Sequence, residues 1–187
     1  MSAKVDIKQL SLDEVQAFLA EHNEKSFRAK QIREWLWKKN VNTFEEMTNL
    51  SKPFRELLDE HFVIHTLTVA DKQVSNDRTI KSAFKLHDGN IVEGVLIPMP
   101  KRMTACIGCS LSCKFCATGQ LKRMRNLNPY EIYEQVVEIK NQAEGDYNIP
   151  LSNIVYMGMG EPLLNYKNTL ESIHMITSEE GLGMSPK

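Results

Sequence analysis

All four cysteines of this 187-residue chain fall between positions 106 and 116, in the run Cys106-Ile-Gly-Cys109-Ser-Leu-Ser-Cys113-Lys-Phe-Cys116. Four soft ligands this close together can converge on one metal centre without help from distant chain. The last three read Cys-x-x-x-Cys-x-x-Cys, a spacing that suits a loop wrapped around a four-iron cluster whose thiolates hold three irons. The fourth iron then has no cysteine and is free to chelate a substrate. Phe115, between the last two ligands, can shield such a cluster from water. Zinc is the competing reading. Cys106-x-x-Cys109 and Cys113-x-x-Cys116 are two CxxC pairs, the parts of a four-cysteine zinc site. Only Ser110, Leu111 and Ser112 separate the pairs, however, whereas ribbon-type zinc sites space them by about 15–20 residues.

The elements around this loop point to an α/β fold. Arg102–Ile107 reads as a short strand feeding the cysteines. Asn128 caps a helix with Pro129 at its first position and Glu131 three residues after the cap, and Ile132, Val136 and Ile139 form its buried stripe. Gly145 is expected just past its end. Asn153–Met157 is a short apolar strand, followed by the glycine loop Gly158-Met-Gly-Glu-Pro162 and a helix from Tyr166 to about Glu180. A βαβα run of this kind implies parallel strands with crossover helices. Both loops then lie at the carboxyl ends of strands, where α/β folds place ligands.

Upstream, residues 1–62 read as a small helical domain. Ser11 to Glu14 and Thr43 to Glu46 are capping boxes, and Ser51 with Pro53 opens a further helix. Ile32, Trp35 and Leu36 form an apolar stripe, with Trp35 and Trp37 expected in the core, although one of them could stack on a base. The same segment carries Lys25, Arg28, Lys30, Arg33, Lys38 and Lys39. These suit either a solvated face or contact with an RNA backbone. Residues 63–100 alternate in strand fashion around the turn signal Asp88-Gly89 and form a β extension, with Pro98 and Pro100 breaking the last run. Residues 101–130 hold six basic side chains and no acidic one, suiting a rim for phosphates.

Composition narrows the classes. A formal net charge of -1 gives the whole molecule no general attraction to nucleic acid. The amino terminus is polar and reads as no signal peptide, and no apolar run nears the roughly 20 residues that span a bilayer. A cytoplasmic protein without membrane contact is expected, and in that setting clustered cysteines bind metal rather than pair.

Cys109-x-x-x-Cys113-x-x-Cys116 with Phe115 before the last cysteine resembles the radical S-adenosylmethionine (SAM) enzymes. GCSLSCKFCATG, then Arg125-Asn-Leu127, then GMGEPLLN at 158–165 look like the RlmN/Cfr family of RNA adenine methyltransferases, from about Phe27 onward. The resemblance implies a partial (β/α) radical-SAM barrel, of which residues 101–187 supply the first part, about two βα units. It implies residues 1–62 as an RNA-binding accessory domain. It implies a [4Fe-4S] cluster on Cys109, Cys113 and Cys116, and SAM held by Gly160 and Glu161. It implies Glu93, thirteen residues before Cys106, as the base that takes a proton from the adenine. Cys106 matches a non-ligand cysteine that forms a transient disulfide with a methyl-carrying cysteine. The implied activity is methylation at C2 of an adenine in 23S rRNA and in tRNA by a monomer supplied with electrons by a donor such as flavodoxin. The C8-methylating Cfr type, and an RNA-binding module held by zinc or a cluster without catalysis, are the alternatives. The chain departs from the family pattern twice. Two residues rather than six separate Cys106 from Cys109, and no fifth cysteine is present. A chain ending after two βα units reads as truncated and is expected not to complete methyl transfer by itself.

Overall fold

The computed structural model describes residues 4–100, 102–108, 125–157 and 162–185. The chain divides into two compact units, Met1–His65 with Thr177–Lys187, and Thr66–Ile176.

The first unit is helical. Helices α1 (Leu12–Glu21), α2 (Arg28–Trp37) and α3 (Lys52–His61) bury one stripe each, with Leu19, Ile32 and Leu58 completely enclosed. Both expected capping boxes are present: Ser11 and Glu14 satisfy each other's backbone N–H groups at the start of α1, and Thr43 and Glu46 do so at a short 3-10 helix, Phe44–Glu46. Ser26 does not cap α2, which begins after Phe27 with no side-chain cap. The tryptophans divide. Trp37 is in the core, but Trp35 is only half buried, because two residues along a helix turn a side chain by roughly 200°. A two-residue parallel pairing, β1 (Val5–Asp6) with β2 (Phe62–Val63), closes the unit. Nothing in the sequence marks so short a pair.

The second unit is one mixed sheet of five strands in chain order: β3 (Thr68–Val74), β4 (Ile80–Lys85), β5 (Ile91–Met99), β6 (Arg102–Cys106) and β7 (Leu151–Val155). The first four pair antiparallel. β6 and β7 pair parallel, joined through helix α4 (Pro129–Tyr147). Residues 63–100, expected as an antiparallel β extension leading into the first barrel strand, supply β3, β4 and β5, which pair antiparallel up to β6 in one sheet. Pro98 does not break β5; it pairs with Met103 of β6. It is tolerated because the ladder to β4 has already ended at Leu96, so its missing N–H costs no bond on that side.

One face of the sheet packs under α4. Alternation places Phe84, Val92, Gly94 and Leu96 on that face, against Ile139 and its neighbours. Gly94 is required there: an added Cβ would stand 2.7 Å from Phe84 Cε2 and 2.8 Å from Ile139 Cδ1. We expect Gly94→Ala to destabilise the sheet by about 1–3 kcal/mol through overpacking, read as a lowered midpoint in urea at unchanged slope. At its amino end α4 carries the expected capping box of Asn128 and Glu131 with Pro129. Gly145 lies inside the helix rather than past its end. Asn148 stops the helix in the left-handed conformation (φ 53°), which asparagine tolerates. Helix α5 (Tyr166–Thr177) follows a short 3-10 turn, Pro162–Asn165, and ends before the expected Glu180.

Candidate functional site

Two of the sequence-predicted groups, Glu93 and Cys106, lie on the second face of the sheet, turned away from α4. Paired residues share a face, and Cys106 pairs with Val95 on β5 and with Val155 on β7. Glu93 is two residues before Val95 and so occupies this same face. The antiparallel ladder stops at Val95–Cys106, which leaves Glu93 just past the end of β6. Glu93 accepts an ion pair from Lys81 on β4, with Nζ to Oε1 at 2.8 Å. Both groups are about a third or more exposed, so the carboxylate stays within reach of a ligand from solvent. Cys106 is half buried, and burial pushes its thiol above the usual range. Its place in two ladders makes it part of the sheet rather than of the loop that follows.

The parallel pairing sets the strands that lead to the two motifs side by side. Cys106 and Val155 are in register, and the Ile107 N–H donates to the Val155 carbonyl at 3.1 Å. Cys109 comes three positions after the first and Gly158 three positions after the second, so the two motifs follow strand ends that stand at one level of the sheet. Ile107 is fully buried, and the Gly108 N–H donates to Gln135 Oε1 of α4 at 3.3 Å, which holds the first strand end in place.

The far shoulders of the two loops are tied as well. The Leu127 carbonyl accepts from Asn165 Nδ2 and from Asn168 Nδ2, each at 2.8 Å. Asn165 is buried and closes the GMGEPLLN run; Leu127 closes Arg125-Asn-Leu127. Two stretches that sequence reading lists separately are thus bonded to each other.

Arg125 fixes the same shoulder to the sheet. Its guanidinium grips Glu131 with both ends, Nη1 to Oε2 at 2.7 Å and Nη2 to Oε1 at 2.6 Å, while Nε donates to Asp88 Oδ2 at 2.6 Å. Glu131 is buried at the start of α4 and Asp88 belongs to the β4–β5 hairpin, so one side chain joins loop, helix and hairpin. The paired Glu131 and Asp88 push Arg125 further up, keeping it charged. Burial works against ionised Asp88, but bonds from Arg125 and from Asn90 more than offset it and hold the carboxyl at about 2. Arg125 is thereby removed from the phosphate-facing rim expected of the basic run. Asp88's depressed value contributes stability that is complete above its ordinary 3.8 and is lost as pH falls through about 2. We therefore expect the melting-temperature gap between the parent and Asp88→Asn to be constant above pH ~4 and to close as pH falls through ~2. A gap that persists at the acid end would refute this role for the ion pair.

Of the sequence-predicted residues, Glu93 and Cys106 share one sheet face. Cys109, Cys113, Cys116, Gly160 and Glu161 lie outside the described residues. Among the described residues no group of three or more His, Cys, Asp or Glu side chains is placed to hold a metal ion, and no helix is long and apolar enough to cross a membrane. Sequence reading missed Lys81, Asp88, Asn165 and Asn168. Asn165 had a signal, as the last residue of a quoted motif; the other three are ordinary surface types whose partners lie far along the chain.

Residues 5–64 match the family described as the ribosomal RNA large subunit methyltransferase N-terminal domain. The chain is 59% identical over 185 residues to a probable dual-specificity RNA methyltransferase RlmN of Cytophaga hutchinsonii, with 97% of this chain and 51% of that protein covered. It is 44% identical over 188 residues to a dual-specificity RNA methyltransferase RlmN of Geotalea uraniireducens, with 98% and 53% covered. The crystal structure of a radical SAM methyltransferase from Sphaerobacter thermophilus superposes with a TM-score of 0.81 at 34% identity, covering 97% of this chain and 54% of that one. The chain spans about half the length of the curated relatives it matches.

Proposed function

We propose that the chain, which matches curated RlmN proteins over about half of their length, carries the iron–sulfur and SAM sites of a radical-SAM RNA methyltransferase of that family, acting at C2 of an adenine. The observation that carries this reading is that the strand leading to the cysteine motif and the strand leading to the glycine motif are parallel neighbours. The two strands end in register, and the far shoulders of the two motifs share the Leu127 carbonyl. A binding module held together by a metal needs the cysteine motif but has no use for the GMGEPLLN motif.

In this reading Cys109, Cys113 and Cys116 hold a [4Fe-4S] cluster. The donor set fits, since three thiolates leave one iron open, and Cys106 belongs to strand β6. When bound, the cluster supplies the electron that cleaves SAM. Gly160 lets SAM approach the backbone, and Glu161 accepts from its ammonium group. The Glu93 carboxylate takes the proton from the adenine, and Lys81, bonded to Oε1, holds that carboxylate in place. The Cys106 thiol is the chain's half of the disulfide that releases methylated RNA. Residues 101–187, with the parallel β6–α4–β7 unit, supply the first part of a (β/α) barrel, and the helical unit contacts the RNA, 23S rRNA or tRNA. An electron donor such as flavodoxin and a cytoplasmic setting complete the proposal.

Anaerobic reconstitution with iron and sulfide tests it. We expect about four irons per chain and an EPR spectrum of the reduced form that changes when SAM is added. One tightly held zinc and no response to SAM would sink the enzyme reading in favour of a metal-stabilised RNA-binding module.

A further inference from the structure

The helical unit contains a second feature that its core does not use. The chain has two tryptophans, both on α2, and only Trp37 is needed inside. Trp35 remains half exposed. Its indole N–H donates to Asn49 Oδ1 at 2.5 Å, which fixes the ring plane, and the Lys39 ammonium lies 3.5 Å from the ring centroid. Four and eight residues back on the same side of the helix stand Gln31 and Phe27, and Phe27 is 50% exposed. Eight residues advance a helix by about 12 Å, so two aromatic rings are displayed along one stripe. The Arg28 guanidinium sits 5.4 Å from the Phe27 ring and donates to Gln31 Oε1 at 3.1 Å. Lys25, Lys30, Lys38 and Lys39 are exposed around the stripe, and among the described residues none of them is in an ion pair.

We propose that Trp35 is a stacking platform for an unpaired base of single-stranded RNA, with Lys38 and Lys39 on the adjoining phosphates. The inference rests on the helical unit being the RNA-contacting part of the methyltransferase proposed above. Exposed aromatics interleaved with cations are the usual means of holding single strands, because every base presents a π face and every linkage a phosphate. Lys39 has a part in both states. Without RNA its ammonium covers the indole; when a base arrives it moves off the ring to a phosphate. The exchange is favourable because an exposed cation–ring contact is weaker than a stacked base, and the ammonium keeps an anionic partner. Asn49 holds the ring ready, so little is lost in orienting it. Phe27 is a second, less constrained platform for a base further along the strand.

Tryptophan fluorescence tests this on the whole chain, since Trp37 is buried and a change on binding reports Trp35. The probes are a short unstructured RNA oligonucleotide and one of equal length in which the bases are replaced by abasic sites. We expect the first to quench and the second to quench little. Trp35→Leu should weaken binding of the first by roughly 10- to 100-fold, while Trp35→Phe, which keeps a π face, retains it. Lys39→Gln leaves the fold untouched at an exposed position and should lower the salt dependence of binding by about one unit of slope. Equal binding of both oligonucleotides, with Trp35 emission unmoved, would overturn the platform and leave phosphate contact by the helical unit standing. If neither oligonucleotide binds the parent chain, the platform and the RNA-contacting role of the unit fall together.

Discussion

Cys113→Ala should leave the reconstituted chain with essentially no iron–sulfur cluster, and Cys106→Ala should leave it with about the parent's four irons. The contrast is the point of the pair. Cluster thiolates must be deprotonated and must converge, and losing one of three exposes an iron that has no other protein donor. Cys106 differs in position and in chemistry. It sits in the sheet between Val95 and Val155, and burial favours its protonated thiol. Iron and sulfide counts, with the EPR response to SAM, decide the matter. If both substitutions abolish metal binding equally, the four cysteines form one site and the zinc-type arrangement of two CxxC pairs is the right one. If Cys113→Ala keeps a full cluster, the ligand assignment fails.

The second large effect is expected at Arg125. Arg125→Met leaves the Glu131 carboxylate, whose side chain is only 3% exposed, with its principal countercharge removed. Breaking a buried pair from one side typically costs about 3–5 kcal/mol. Arg125 is itself 30% exposed, which admits water to the gap and places the expectation at the lower end, about 3 kcal/mol. In a chain of this size that is a fall in melting temperature of about 6–12 °C. Glu131 also accepts from the Asn128 N–H at 2.8 Å, so the start of α4 loosens with it. The double variant Arg125→Met with Glu131→Leu should recover most of the loss, because no unpaired charge is then left buried. A single variant that melts with the parent would show that the three-way junction of loop, helix and hairpin contributes nothing. The same junction is where the cysteine loop rejoins the described fold, so cluster retention should fall together with stability.

Much of the architecture was legible from residues alone, wherever the deciding interaction is short in sequence. The capping boxes at Ser11, Thr43 and Asn128 are reciprocal bonds across three residues, and all three form as read. The strand–helix–strand order around the cysteine loop fixes a parallel pair because a crossover helix permits little else. The cysteine spacing and the GMGEPLLN run identify the family because chemistry demands particular side chains at particular intervals. Local signals misled where a neighbour further off took over. Gly145 has a stop signal but sits in a helix that continues to Asn148; Pro98 has a break signal but lies in a strand with no partner on the side it would damage. Trp35 and Trp37 read alike in sequence, and helix rotation alone sends one inward and leaves the other in water.

Residue type and spacing by themselves determined the capping boxes, the strand–helix–strand order around the cysteine motif and which residues are candidate ligands. Only the tertiary structure decided that Glu93 and Cys106 share one sheet face, that Arg125 is a clamp rather than part of a phosphate rim, and that Asn165 and Asn168 bind the two motif loops through one carbonyl. The reason is physical. Strand register, burial of a carboxylate and the choice of a hydrogen-bond partner 38 or 41 residues away are fixed by packing of the whole unit, and no interval along the chain encodes them.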